Sequence, residues 1–213
     1  MRLRQVSPHV WQVRIWRVTR LHTWLVTEED GLSIVDTGYP FMARDVLRAA
    51  ELVGAGPVKR VLLTHGHPDH AGGAPFLARQ LGVPVLAHDR EMPFLQGERK
   101  YPRVPHLLQP GHPDLAEPLP AAADDELLEV GGLKPYEAPG HTPGHVVYFH
   151  EQDSVLLAGD LFKVERGRLR RLGHMFSADR EEATRSEALL EKLRPQRVET
   201  SHGGGVEGAA ARL

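Results

Sequence analysis

Val58-Lys59-Arg60-Val61-Leu62-Leu63-Thr64-His65-Gly66-His67-Pro68-Asp69-His70 is the stretch on which the fold turns. It closes an apolar run, Val61-Leu62-Leu63, of the length and character of a buried strand. It then breaks into three histidines and one aspartate within six residues. The run that follows, Ala71 to Leu81, predicts a helix. In an extended segment, residues two apart face the same side, so His65 and His67 can grip one ion. Asp69 and His70 fall where the chain turns into the helix, diverge, and can reach a second position beside the first. A donor set of imidazole nitrogen and carboxylate oxygen, without sulfur, suits zinc, with iron or manganese as alternatives. A turn serving only as a turn has no need of three imidazoles.

Upstream, Val10 to Arg17 alternates. Val10, Gln12, Arg14 and Trp16 lie on one side, and Trp11, Val13, Ile15 and Arg17 on the other, as in a strand. Leu21 to Thr27 and Leu32 to Asp36 predict two more strands around a turn at Glu28 to Gly31. Phe41 to Val53 has helical spacing and stops at Gly54-Ala55-Gly56-Pro57. Downstream, Gly82 to Ala87 reads as a short strand. From Met92 to Pro120 the pattern is lost among seven prolines, which predicts a structureless loop over the site. Strand patterns return at Glu126 to Val130, Lys134 to Ala138, Val146 to His150 and Ser154 to Ala158. A hairpin turning at Arg166-Gly167 follows, then a helix over Asp179 to Leu193 with Asp179 as its N-cap, and a last strand at Gln196 to Thr200.

The chain has 213 residues, 41% hydrophobic and 25% charged, ordinary for one globular domain. A net charge of -2 gives no electrostatic case for nucleic acid or a membrane surface. No apolar run approaches the ~20 residues of a membrane span. The first residues, Met1-Arg2-Leu3-Arg4-Gln5, lack the apolar core of a secretory leader. The expectation is a cytoplasmic protein acting on a small molecule. With no cysteine, disulfides, thiolate ligands and a cysteine nucleophile are excluded. Asparagine is also absent, and Arg (21) far exceeds Lys (5). Heat adaptation and GC-rich coding both produce such a composition.

Ligand-type residues recur at the ends of apolar strands: Asp36, the His65 to His70 group, His141, Asp160 and His202. Strand ends on one edge of stacked sheets converge. Five histidines (His65, His67, His70, His141, His202) and two aspartates (Asp69, Asp160) are enough for two metals sharing a bridge. Asp160 is the natural bridge, because a carboxylate spans two ions through its two oxygens. Glycines beside these positions, such as Gly66, Gly140, Gly159 and Gly203, fit close backbone approach.

Here the chain resembles the metallo-β-lactamase superfamily of metallohydrolases along nearly its whole length. Thr64-His65-Gly66-His67-Pro68-Asp69-His70 matches the HxHxDH motif. The downstream order of His141, Asp160 and His202 matches too, as does the early aspartate of Val35-Asp36-Thr37-Gly38. The resemblance implies an α/β fold, a four-layer αββα sandwich of two mixed sheets flanked by helices. It implies a single domain over 1–213, with a Pro-rich insertion at about 92–120. It also implies one metal on His65, His67 and His141 and a second on Asp69, His70 and His202, with Asp160 bridging. Asp36 would orient a ligand or the motif loop, and His145, four residues after His141, would lie behind the ligands.

The implied chemistry is hydrolysis of an ester, thioester or lactone by a metal-bridging hydroxide, with Asp69 orienting the nucleophile and shuttling a proton. β-Lactamases of the superfamily place cysteine, serine or another residue at the bridging position, so Asp160 argues against antibiotic hydrolysis. Glyoxalase II-like relatives carry a helical extension that binds glutathione, and here 11 residues follow His202. Lactonases share the full ligand set. The tRNA-processing relatives carry an RNA-binding arm with no counterpart here. The alternative within the superfamily is a persulfide dioxygenase, with a single iron on the equivalents of His65, His141 and Asp160. A non-catalytic binding module is disfavoured because no ligand is lost.

The remaining histidines, His9, His22, His88, His106, His112 and His150, fit packing or surface roles. His174 could touch substrate from the loop after Asp160. The basic hairpin at 162–171 carries Lys163, Arg166, Arg168, Arg170 and Arg171. Its alternation predicts Arg166, Arg168 and Arg170 on one face, which would favour an anionic substrate if that face walls the site.

Overall fold

β1 (Arg2–Gln5), β2 (Val10–Trp16), β3 (Arg20–Glu28) and β4 (Gly31–Val35) pair antiparallel in chain order, with β1 as a largely exposed edge strand. β4 then pairs in parallel with β5 (Val58–Leu62), followed by β6 (Val85–Ala87) and β7 (Glu117–Pro118), to complete a seven-stranded mixed sheet. β8 (Lys134–Glu137), β9 (Val146–His150) and β10 (Val155–Leu157) form an antiparallel set. The chain leaves it for a separate hairpin, β11 (Phe162–Glu165) and β12 (Arg168–Arg171). It returns as β13 (Arg197–Thr200), parallel to β10, and β14 (Gly204–Glu207), which makes a five-stranded mixed sheet. The computed structural model describes residues 1–16, 20–102, 104–106, 109–173, 177–208 and 213.

The two faces of each sheet go to different cores. Val13, Ile15, Leu25, Ile34, Val61 and Leu63 pack outward against α1 (Ala43–Val53) and, beyond the short α2 (Pro68–Ala71), against α3 (Ala74–Leu81). Val10, Trp24, Val35 and Leu62 face inward onto Tyr148, Val155 and Leu157 of the second sheet. The outer face of that sheet, with Val147, Phe149, Leu156 and Val198, is covered by the hairpin residues Phe162 and Leu169 and by Leu189, Leu190 and Leu193. These leucines belong to α6 (Leu189–Leu193), which follows α5 (Arg180–Ser186). The result is the expected αββα sandwich. Each fully buried large side chain adds ~1.5–3 kcal/mol from burial alone. Between the sheets, Glu199 accepts from Gln12 Nε2 (2.5 Å), Trp24 Nε1 (3.4 Å) and Arg197 Nε (2.6 Å), so its buried charge is paired.

Several expectations need correction. The helix over Ala71 to Leu81 is split. Gly72 and Gly73 press against Thr37 and Pro40, with no room for a Cβ, so α2 ends and α3 restarts at Ala74-Pro75. The Asp179 to Leu193 helix breaks after Ser186, whose hydroxyl donates to the Pro139 carbonyl (2.7 Å); Asp179 does cap α5, accepting from Glu181 N and Glu182 N. Glu126 to Val130 is no strand. Its pairings are the isolated bridges Ala121–Leu127 and Val130–Leu133, because the chain reverses at Gly131-Gly132. Nor is the segment 92–120 structureless. It opens with α4 (Met92–Leu95) and ends in β7, which pairs with Leu86 and Ala87 at the sheet edge. Among the described residues, no helix is long and apolar enough to cross a membrane.

Parallel pairing places the functional strand ends together. β4 and β5 end side by side, delivering Asp36 and Thr64, while β10 and β13 deliver Asp160 and His202. Two bonds lock the sheets at this edge: Val146 N–H donates to Thr64 O and Tyr148 Oη to Leu63 O, both 2.9 Å.

Candidate metal centre

Thr64 and Asp36 build the base of the site. Asp36 carries φ 58°, a left-handed conformation that aspartate tolerates better than most residues. From there its Oδ1 accepts Thr64 N–H (2.8 Å), and its Oδ2 accepts the Thr64 hydroxyl and His70 Nδ1 (both 2.8 Å). With its proton given to Asp36, the Thr64 oxygen accepts from His65 Nδ1 (3.1 Å). These bonds engage Nδ1 of His65 and of His70 on the outer side and turn each Nε2 into the site.

His141 Nε2 lies 3.1 Å from His65 Nε2 and 2.9 Å from His67 Nδ1, so three ring nitrogens converge on one point. Burial pushes His65 well below its ordinary pKa and His67 down to about 3, keeping both neutral, as metal ligation requires. On the other side, His202 Nε2 stands 3.4 Å from Asp69 Oδ2, and His70 Nε2 stands 3.8 Å from it.

Asp160 lies between the two groups. Its Oδ2 is 3.5 Å from His141 Nε2 and 3.4 Å from His202 Nε2, and its Oδ1 is 3.5 Å from His70 Nε2. Burial opposes its ionisation, but His202 and His70 outweigh burial and hold its pKa well below the usual carboxylate range. The same attraction lifts His202 to about 10 and, against burial, raises His70. This half of the site demands positive charge. Atoms that share a tetrahedral ion at ~2.1 Å stand roughly 3.4 Å apart, close to the spacings observed. Asp160 Oδ1 and His70 Nε2 are buried without a hydrogen-bond partner, which a cation would supply. The residues therefore fit metal, and the triads His65/His67/His141, His65/His70/Asp160 and Asp69/His70/His202 each gather within one ion's reach.

The structure brings all seven predicted ligands together, with Asp36 and His145 directly behind them. His145 is fully buried, and its Nε2 accepts the Asp160 N–H (3.1 Å). Gly159 makes that approach possible: it sits at φ 52°, and a Cβ there would meet His145 Nε2 at 2.8 Å. Sequence reasoning missed the roles of Thr64 and Glu91, and gave His22 the packing or surface role that its burial bears out without finding its partner. Glu91 accepts from Gly66 N and Gly144 N, and His22 binds the Ser201 carbonyl through its backbone N–H and faces it with Nδ1 (3.1 and 3.2 Å). Burial lowers His22 to about 4, so it stays neutral. Thr64 had a signal, a hydroxyl abutting the first ligand; the other two had none in local pattern.

Above His67, Asp69, His141, Asp160 and His202 opens a cleft of about 920 Å³. Pro102, Val104 and Pro105 line it, as expected of the Pro-rich segment, together with Tyr39, Leu172, Lys163 and Arg180. Arg168 and Arg170 do share a face, but Leu169 is the hairpin residue turned into the core, so both arginines point to solvent away from the cleft. Arg171 pairs with Glu187 (2.7 Å). His174 lies outside the described residues.

Residues 17–202 match the family model described as the metallo-beta-lactamase superfamily. The chain is 37% identical over 207 residues to a probable metallo-hydrolase, YybB, of Bacillus subtilis, covering 95% of this chain and 91% of that one. It is 30% identical over 154 residues to a hydroxyacylglutathione hydrolase of Albidiferax ferrireducens, covering 70% of this chain and 50% of that protein. A solved structure of TTHA1623 in a di-iron-bound form superposes with a TM-score of 0.71 at 26% identity, covering 92% and 93% of the two chains.

Proposed function

We propose, on the premise that this chain is a metallohydrolase of the metallo-β-lactamase superfamily, that it holds two divalent ions and cleaves an ester, thioester or lactone. The observation that carries the reading is the placement of Asp160, with oxygens 3.4–3.5 Å from nitrogens of both histidine groups. His65, His67 and His141 would hold one ion and Asp69, His70 and His202 the other, with Asp160 between them. Zinc is the first choice for this sulfur-free donor set, with iron or manganese next. The di-iron form of TTHA1623 supports two ions, and the hydroxyacylglutathione hydrolase relative supports a thioester among the substrates.

When bound, the ions supply Lewis acidity and a water acidified toward a pKa of ~7. The chain supplies the rest. Asp69, whose side chain is 21% exposed at the cleft floor, orients the nucleophile and carries its proton to the leaving atom. The prolines, Tyr39 and Leu172 give the cleft an apolar wall that limits water around the scissile bond. The substrate is a small molecule rather than nucleic acid or a membrane surface. Lys163 and Arg180 at the rim suit an anionic group remote from the scissile carbonyl.

Elemental analysis of protein purified without added metal, with an ester, lactone and thioester panel, tests this. Two ions per chain and chelator-sensitive turnover of one class are expected. One iron per chain with persulfide-dependent oxygen uptake would install the dioxygenase reading instead.

A further inference from the structure

Glu91 closes a short 3-10 turn after β6, and its side chain is completely buried. Its Oε2 accepts from Gly66 N–H and its Oε1 from Gly144 N–H, both 2.8 Å. The Tyr101 hydroxyl donates to Oε2 as well.

The three donors have one thing in common. Gly66 sits between His65 and His67, and Gly144 closes the turn that begins at His141. Tyr101 lays its ring edge-on against His67, centroids 4.8 Å apart at 75°. Among the described residues, each hydrogen-bond partner of the Glu91 carboxylate thus belongs to, or touches, the His65/His67/His141 group, and none is Asp69, His70 or His202. The two loops come from different sheets, since His65 and His67 follow β5 and His141 lies between β8 and β9. Glu91 is a strap across the sandwich edge. A Cβ on Gly66 would collide with Tyr101 Oη, and one on Gly144 would meet Glu91 N at 2.9 Å, so both backbones are seated tightly on it. The strap also carries charge. Imidazole ligands bring no negative charge to an ion, and the Glu91 carboxylate lies one backbone amide away from them.

We propose that Glu91, held by Tyr101, is a positioning residue for one metal position alone, the one formed by His65, His67 and His141. This rests on the dinuclear reading above. Tyr101 continues directly into the cleft wall at Pro102, Val104 and Pro105, so the same bond ties that wall to the ligand loop.

The test is titration of metal-free protein with Zn(II) against a competing chelator, repeated with Co(II) for its ligand-field spectrum. Wild type should bind in two resolved steps. Glu91→Gln offers only one oxygen and turns an NH₂ toward the other glycine donor. It should weaken one step by about tenfold or more and change that ion's cobalt spectrum, leaving the second step within about twofold, as expected for loss of a group behind the ligands. Tyr101→Phe keeps the carboxylate and should weaken the same step by less, which covers the case where the glutamate variant fails to fold. Equal weakening of both steps, or no change in either variant, would overturn the proposal. A wild type that binds a single ion would remove the dinuclear reading, and Glu91→Gln weakening that ion at an unchanged metal-free melting temperature would leave this inference standing.

Discussion

Oδ2 of Asp36 lies 2.8 Å from Nδ1 of His70, and both side chains are 1% exposed. The same carboxylate takes two bonds from Thr64, so three donors converge on one charged group. This decides which nitrogen His70 presents to the site. Asp36→Asn tests the relationship cleanly, because asparagine tolerates the left-handed backbone at this position. The amide offers one oxygen to three donors and turns an NH₂ toward at least one of them. Metal affinity should fall about 10- to 100-fold with the fold retained. Wild-type affinity by chelator competition would separate Asp36 from ligand orientation.

Asp160→Ala should behave differently. It removes the carboxylate placed between His141, His202 and His70, so both proposed ions lose a ligand and the repulsion between them is no longer offset. His202 and His70 also lose the charge that lifts their pKa values, so both become weaker bases. The expected outcome is loss of metal and of turnover together, read by elemental analysis beside kinetics. A variant with full metal content and near-normal turnover would remove Asp160 from the bridging position.

The legible part of this site was the part written locally. Val35 before Asp36, Leu63 before Thr64 and Ala158 before Gly159-Asp160 are apolar strand ends running into ligand chemistry, and periodicity finds such junctions. Glu91 was not legible because its three donors come from residues 10, 25 and 53 positions away. The break between α2 and α3 was hidden for a similar reason, since it depends on Thr37 and Pro40 packing against Gly72 and Gly73. For the basic hairpin, alternation correctly paired Arg168 with Arg170. Which face looks at the cleft depended on Leu169 filling the core of the second sheet, a tertiary fact.

At the opposite end of the sandwich, His9, His150 and Asp153 form another metal-sized group, but its atoms are already satisfied. Asp153 accepts from Ser7 Oγ (2.6 Å), His9 N (2.8 Å) and His9 Nδ1 (2.8 Å), and its own N–H donates to His150 Nδ1 (3.2 Å). It is a staple between the start of β2 and the β9–β10 turn. Burial opposes its ionisation, yet Ser7 and His9 hold its pKa below the ordinary value. A depressed carboxyl pKa contributes stability that is complete above the unfolded value and lost as pH falls through the folded one. Asp153→Asn should therefore cost ~1–3 kcal/mol at neutral pH. The gap from wild type should narrow below about pH 4 in urea denaturation. A gap that stayed constant down to pH 2.5 would show that the charge contributes nothing.

Anion preference separates the two sets of cations around the cleft. Lys163 lines it, three residues after Asp160, while Arg168 and Arg170 face solvent. Lys163 has a neighbour of its own, Glu165 Oε2 at 3.5 Å, but both side chains are substantially exposed and that pair binds weakly. A substrate carboxylate or phosphate reaching Lys163 would gain a partner at little cost. Lys163→Ala should raise KM for an anionic ester roughly two- to fivefold, the range of an exposed charge pair, and leave a neutral ester of the same shape unchanged. The effect should fade with added salt. Arg168→Ala with Arg170→Ala should change neither substrate, because these side chains contact no part of the cleft. If the arginine pair shifts KM selectively and Lys163 does not, the cleft wall is assigned to the wrong face of the hairpin. Equal effects of Lys163→Ala on both esters would make the lysine a packing residue and leave the anionic substrate without support.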